Sequence, residues 1–201
     1  MHDRFHPECM TALNRNGCPL CSGFCTSQYA DEMRDDGMLY NWYAVENNNI
    51  CPAGWRIPNN EDWKILLEYV EEHGSDKRGA EKLKSSKGWA TIQHLGVSIK
   101  GTDEFGFSAK PAGRRHYKGS NYSFSMIWEN AGNFGYWWSI DTTIIDEALL
   151  PIEELSLNDW ANCFSMGCIT DRRAILSEVH NWYISNEPKK DGYSIRCIKN
   201  K

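Results

Sequence analysis

The final strand-like segment, Gly192-Tyr193-Ser194-Ile195-Arg196-Cys197-Ile198-Lys199, alternates apolar and polar residues and carries a cysteine. Alternation with a period of two is the pattern of a strand with one buried face. Far upstream stand two blocks with equally defined ends, Leu39-Tyr40-Asn41-Trp42-Tyr43-Ala44-Val45 and Ile50-Cys51-Pro52-Ala53-Gly54-Trp55-Arg56-Ile57-Pro58. The expectation is a domain whose first and last segments meet, with the middle of the chain left to build a loop surface. That arrangement points to binding more than to a familiar catalytic motif.

A chain of 201 residues suffices for one domain with an extension and a core of useful size. The formal net charge is -5, which excludes a general attraction to nucleic acid or to an anionic membrane surface. No apolar run approaches the ~20 residues needed to span a bilayer. The opening residues, Met1-His2-Asp3-Arg4-Phe5-His6-Pro7, have no apolar signal core. Nine Trp and nine Tyr supply large contact area with one polar handle each, suited to a β-rich core or a recognition surface.

Residues 1–37 are polar and Cys-rich, and read as an N-terminal extension; the domain proper is expected over 38–201. Residues 38–45 read as an aromatic-rich strand. A helix is expected after Pro58. Asn59 is its N-cap, and Glu61 and Asp62 sit in its first turn. Trp63, Leu66, Leu67 and Val70 make one apolar stripe, and Gly74 is placed as a left-handed C-cap. A shorter helix is expected near 80–84. From Trp89 onward, short strands between turns are read around 105–107, 111–115, 134–139 and 159–185, with an acidic, aliphatic excursion over 141–158.

Several blocks in this order resemble the Fibrobacter succinogenes major paralogous domain family. They are Tyr40–Val45, Cys51–Pro58, Trp63, Lys82–Ser85, Phe105–Ala109, Pro111–Arg115, Gly135–Ser139 and Gly192–Cys197. The resemblance implies an α+β, C-type-lectin-like fold related to the formylglycine-generating-enzyme group, with two helices, a small twisted antiparallel sheet, long loops on one side and adjacent chain ends. It implies an exported or cell-surface protein of the kind found in gut and rumen Bacteroidetes. Some related domains are variable proteins of diversity-generating retroelements. The segment 141–158 and the pair Cys163/Cys168 depart from the usual family pattern.

On that resemblance Cys51 and Cys197 become neighbours and the leading disulfide candidates, the alternative being two buried thiols. Eight cysteines in all allow on the order of a hundred pairings. Cys18, Cys21 and Cys25, with Cys9, His2 or His6, have a spacing open to zinc or to disulfides. No metal or other cofactor is assigned. The strings Glu187-Pro188-Lys189 and Asn158-Asp159-Trp160 are poor matches to a lectin calcium site, since Lys189 puts a cation where an oxygen ligand is needed. Cys163 and Cys168 have a spacing similar to the copper-binding cysteines of formylglycine-generating enzymes, and soft thiolates suit Cu(I). The alternatives are a local disulfide or two unrelated core thiols.

No Ser/His/Asp order, phosphate-binding glycine loop or HExxH string occurs. The leading expectation is a non-catalytic module binding a protein or glycan, with a copper oxidase and a structural surface protein as alternatives. The candidate binding residues are Trp160, Asn162, Arg172, Arg173, His180, Asn181, Trp182 and Tyr183, because aromatic and Arg side chains dominate interface hot spots.

Overall fold

The computed structural model describes residues 37, 39–46, 50–74, 79–90, 101–120, 123–143, 159–167 and 182–200. Among these, the order of elements is α1 (Trp42–Glu46), β1 (Trp55–Arg56), α2 (Asn60–His73), α3 (Gly79–Leu83), β2 (Arg114–Ser120), β3 (Ser123–Glu129), β4 (Phe134–Trp138), β5 (Trp160–Gly167), β6 (Trp182–Pro188) and β7 (Ile198–Lys199). All three sheets are antiparallel: β1-β7, the ribbon β2-β3, and β4-β5-β6. The chain is therefore α+β.

The aromatic run expected as a first strand is different. Only Tyr40 pairs in a β-bridge, with Tyr193, and Trp42–Glu46 closes into a helical turn. Asn41 explains the switch: its side chain accepts from the Ala44 N–H at 3.2 Å, capping the turn in competition with extended backbone.

Helix α2 starts where expected. Asn59 accepts from the Asp62 N–H, and the Asp62 carboxylate accepts from the Asn59 N–H, a reciprocal capping box. Arg56 braces the same carboxylate with two bonds of 2.5 and 2.8 Å. Hydrogen bonding to Asp62 is the main reason the Arg56 guanidinium is held above its usual pKa. Gly74 does end the helix and donates to the Val70 carbonyl, but its backbone is extended rather than left-handed.

The three-stranded sheet divides the core. Along β4 and β5, Trp137, Phe164 and Met166 face α2, where they meet Trp63, Leu66, Leu67 and Val70. Trp63 stacks on Phe164 with centroids 4.5 Å apart. The alternate residues Tyr136, Trp138, Ala161 and Cys163 face the other way, onto Tyr40, Trp42, Val45, Tyr193 and Ile195. Strand β5 is thus buried on both faces.

The first and last described segments meet on this second face. Tyr193 and Tyr40 exchange backbone bonds, Trp138 Nε1 donates to the Tyr40 carbonyl at 2.7 Å, and β7 pairs with β1. A disulfide joins Cys51 to Cys197 across 146 positions of sequence.

Candidate functional site

The second face of the β4-β5-β6 sheet turns polar toward one end. The register sets Tyr136, Ser165 and Tyr183 side by side across the three strands, and Trp138, Cys163 and Ser185 in the adjacent row. Glu187 follows Ser185 by two positions on β6, so it belongs to the same face. Small side chains in the middle strand leave room above it for groups from other elements.

Two segments fill that room. The extended C-terminal stretch contributes Asp191 and Tyr193, and the ribbon β2-β3 contributes Arg114, His116 and Glu129. Gly113 makes the approach of the ribbon possible. It adopts φ +67, and an added Cβ would lie 2.3 Å from the Glu129 carbonyl, so a larger residue is excluded by both conformation and space. Beyond it, Arg115 and Gly192 exchange backbone hydrogen bonds.

The side chains then form one connected network. Arg114 donates from Nη2 to Glu129 Oε2 at 2.9 Å and lies 3.6 Å from Glu187 Oε2. Tyr193 donates its hydroxyl to Glu187 at 2.9 Å, and Ser185 donates to the other Glu187 oxygen at 2.9 Å. His116 Nδ1 is 2.7 Å from Asp191 Oδ2, on a carboxylate with no exposed surface. Asn130 donates to the Tyr136 hydroxyl at 2.9 Å.

The electrostatics follow from this packing. Burial pulls the Arg114 guanidinium downward, but Tyr193, Glu129 and Glu187 outweigh it and hold Arg114 above its usual value. Burial, reinforced by Glu187, pushes the Tyr193 phenol far up, and burial likewise raises Tyr136 and Tyr183. All three stay neutral at ordinary pH, Tyr193 as a donor to Glu187 and Tyr136 as an acceptor from Asn130. Cys163 is fully buried beneath them; burial first, then Glu187, pushes its thiol well up, so it too stays protonated.

Accessibility narrows the candidates. Tyr183 is 44% exposed and stands on β6 opposite Ser165 of the buried middle strand. Its ring is therefore an aromatic surface carried on a paired strand. Arg114 and Glu129 have side-chain exposures of 24% and 30%. Tyr136, Asp191 and Tyr193 form the buried support behind them, while His116 is as exposed as Glu129 and Asn130 is exposed.

Of the residues expected from sequence, Tyr183 is the accessible one among those described. Trp182 is partly buried against the α2-side core. Trp160 and Asn162 are buried in β5, and the Asn162 side chain has no hydrogen-bond partner among the described residues. Arg172, Arg173, His180, Asn181 and Cys168 lie outside the described residues, as do Cys9, Cys18, Cys21, Cys25, His2 and His6.

The sequence reading places the binding face in residues about 113–133 and 141–190, but it singles out none of Arg114, His116, Glu129, Tyr136, Glu187, Asp191 and Tyr193. One signal was present: Tyr183, Ser185 and Glu187 recur at every second position and place polar groups on one strand face. Nothing in the order of residues shows that Arg114, some seventy positions away, completes the set.

Among the described residues, few helices, small antiparallel sheets and a disulfide between an early and a late segment define an α+β domain. The chain belongs to the Fibrobacter succinogenes major domain family, whose model matches residues 22–199. That match begins inside the segment read from sequence as an extension. Comparison with curated proteins and with solved structures found no match. No helix among the described residues is long and apolar enough to cross a membrane.

Proposed function

We propose that this protein is a non-catalytic ligand-binding module of C-type-lectin-like architecture, acting outside the cell or at its surface. The observation that carries the reading is an exposed Tyr183 ring on the sheet face over which the partly exposed Arg114–Glu129 pair packs. Both stand on a support whose polar groups already bond one another. A rigid aromatic surface loses little entropy on contact, and an Arg held in one geometry presents its planar fork ready-made. The Cys51–Cys197 disulfide favours an oxidising compartment, which supports export. The partner is a protein or a glycan.

The copper-oxidase reading draws less support. Cys163 is fully buried, whereas oxidation of a peptide needs a thiolate–copper centre that the peptide can reach.

The test is to screen the immobilised chain against glycan and extracellular-protein arrays, with Tyr183→Ala in parallel. Saturable binding by wild type that weakens tenfold or more in the variant is expected. Stoichiometric Cu(I) uptake together with oxidation of a Cys-containing peptide would overturn the reading.

A further inference from the structure

Two asparagines near the start of α2 carry buried polar atoms with no hydrogen-bond partner among the described residues. They are Asn60, through Oδ1, and Asn162, through both Oδ1 and Nδ2. Asn162 has no exposed surface at all. A buried amide left unsatisfied costs more than an ordinary hydrogen bond returns, so native chains retain one only where something answers it.

The fold brings these two residues to one place. Phe164 and Met166 face α2, and Asn162, two positions earlier on β5, shares that face. Trp63 stacks on Phe164 with centroids 4.5 Å apart. Asn60 lies one turn before Trp63, on the same side of the helix. Asp141 closes the arrangement. Its Oδ2 accepts from the Asn60 N–H at 2.8 Å, and its main-chain carbonyl accepts from the Asn162 N–H at 3.0 Å. Its Oδ1 accepts from no described residue. Beside it, the buried Ser139 donates its N–H to the Asn162 carbonyl, while its hydroxyl reaches the Pro58 carbonyl only at 3.4 Å.

We propose that Asp141, Asn60 and Asn162 form a calcium site, each giving one side-chain oxygen. The site lies on the α2 side of the sheet, opposite the face read as binding, and does not depend on that reading. It uses neither Glu187-Pro188-Lys189 nor Asn158-Asp159-Trp160.

The donor set selects the ion. Carboxylate and amide oxygens suit a hard cation, and no thiol or imidazole stands among them to favour zinc or copper. Amide and carbonyl oxygens from a helix, a strand and a strand end make an adaptable shell, which suits calcium better than the strict octahedron of magnesium. A buried water could satisfy the two amides alone. The open Asp141 oxygen adds a negative charge, which a cation answers and a water does not.

The positive end of α2 works against a cation, but it is offset. Asp141 and Asn59 already take N–H groups of the first turn, and Glu61 and Asp62 place two carboxylates there. Among the described residues no three His, Cys, Asp or Glu stand together. A site with one carboxylate therefore belongs at the weak end of the calcium range, with a Kd of about 0.1–1 mM, the range of extracellular modules.

Isothermal titration of the full chain, stripped of metal on a chelating resin, decides the matter with calcium chloride and magnesium chloride as the probes. Calcium should bind in that range and magnesium more weakly. The melting temperature should rise by roughly 3 °C or more in about 10 mM calcium. Asp141→Asn keeps an acceptor for the Asn60 N–H but removes the charge, and should weaken calcium binding tenfold or more. Asn162→Leu should abolish the calcium response while the metal-free melting temperature holds or rises, because the orphaned amide is gone.

Wild-type protein that ignores calcium in both measurements overturns the site and leaves water as what answers the amides. A calcium response unchanged in both variants also overturns it, since the ion then sits elsewhere. Should Asn162→Leu fail to fold by circular dichroism, Asp141→Asn alone decides: an undiminished response there refutes the site.

Discussion

Tyr193 donates its hydroxyl to Glu187 at 2.9 Å, which ties the C-terminal segment to β6 through a largely buried, charge-assisted bond. The same carboxylate is also reached by Ser185 and Arg114. Tyr193→Phe removes one donor and leaves Glu187 with two partners. The expected loss is about 1.5–3 kcal/mol, the range for a hydrogen bond to a charged group. Urea unfolding measures it; an unchanged midpoint would show that the bond contributes nothing.

The Cys51–Cys197 disulfide closes a loop that spans most of the domain. In the chain-entropy account a loop of this length stabilises by ~4–5 kcal/mol. Cys51→Ala with Cys197→Ala should lower the guanidinium midpoint accordingly, and reduction of the wild type should do the same. A wild-type midpoint insensitive to a phosphine reductant would argue against the bond.

Alkaline pH should destabilise the fold. Tyr136 and Tyr193 are raised chiefly by burial, so the folded state keeps these protons when the unfolded chain releases its own. The stability tied to them is complete below the free phenol value of about 10. It falls as pH rises above that, because the unfolded state then binds fewer protons. Melting temperatures across this window, with phenolate absorbance followed in parallel, check the sign. Phenols that ionise freely at their ordinary value in the folded protein would contradict it.

Cys163 should resist thiol reagents in the native state. It is buried, and burial holds its thiol protonated. Reagents attack the thiolate, so modification mapped to this residue by mass spectrometry should appear only with unfolding. Rapid native labelling at mildly alkaline pH would place the thiol nearer solvent than described.

Asp62 serves two structures at once, the capping box of α2 and the bond to Arg56. Asn59→Ala should cost the usual ~0.5–2 kcal/mol of an N-cap. Asp62→Ala should cost more, because it also leaves Arg56 without this partner. Equal effects in chemical denaturation would mean that the Arg56 bond adds no stability.

Much of this architecture could be read from local pattern. The start of α2 follows from Asn59 and Asp62, its buried stripe from Trp63, Leu66, Leu67 and Val70, and its end from Gly74. Each signal lies within a turn or two of what it controls. The same reasoning misread Trp42–Glu46 as strand. Aromatic content favours extended backbone on average, but the Asn41 side chain offered the Ala44 N–H a helical-turn partner. The polar face was legible only along β6, where Tyr183, Ser185 and Glu187 alternate.

By itself the sequence determined the local elements, the family and the candidacy of Cys51 and Cys197 once the family was named. Only the tertiary structure decided that Arg114 from the ribbon, Glu187 from β6 and Tyr193 from the chain end share one network. It also decided that Trp160 and Asn162 are buried while Tyr183 is not. The physical reason is that residue alternation records which side chains share a face of one strand. Which distant segment then packs over that face depends on strand order, on small residues such as Ser165 and Gly113 that leave room, and on the pairing of the early segment around Tyr40 with the late one around Tyr193.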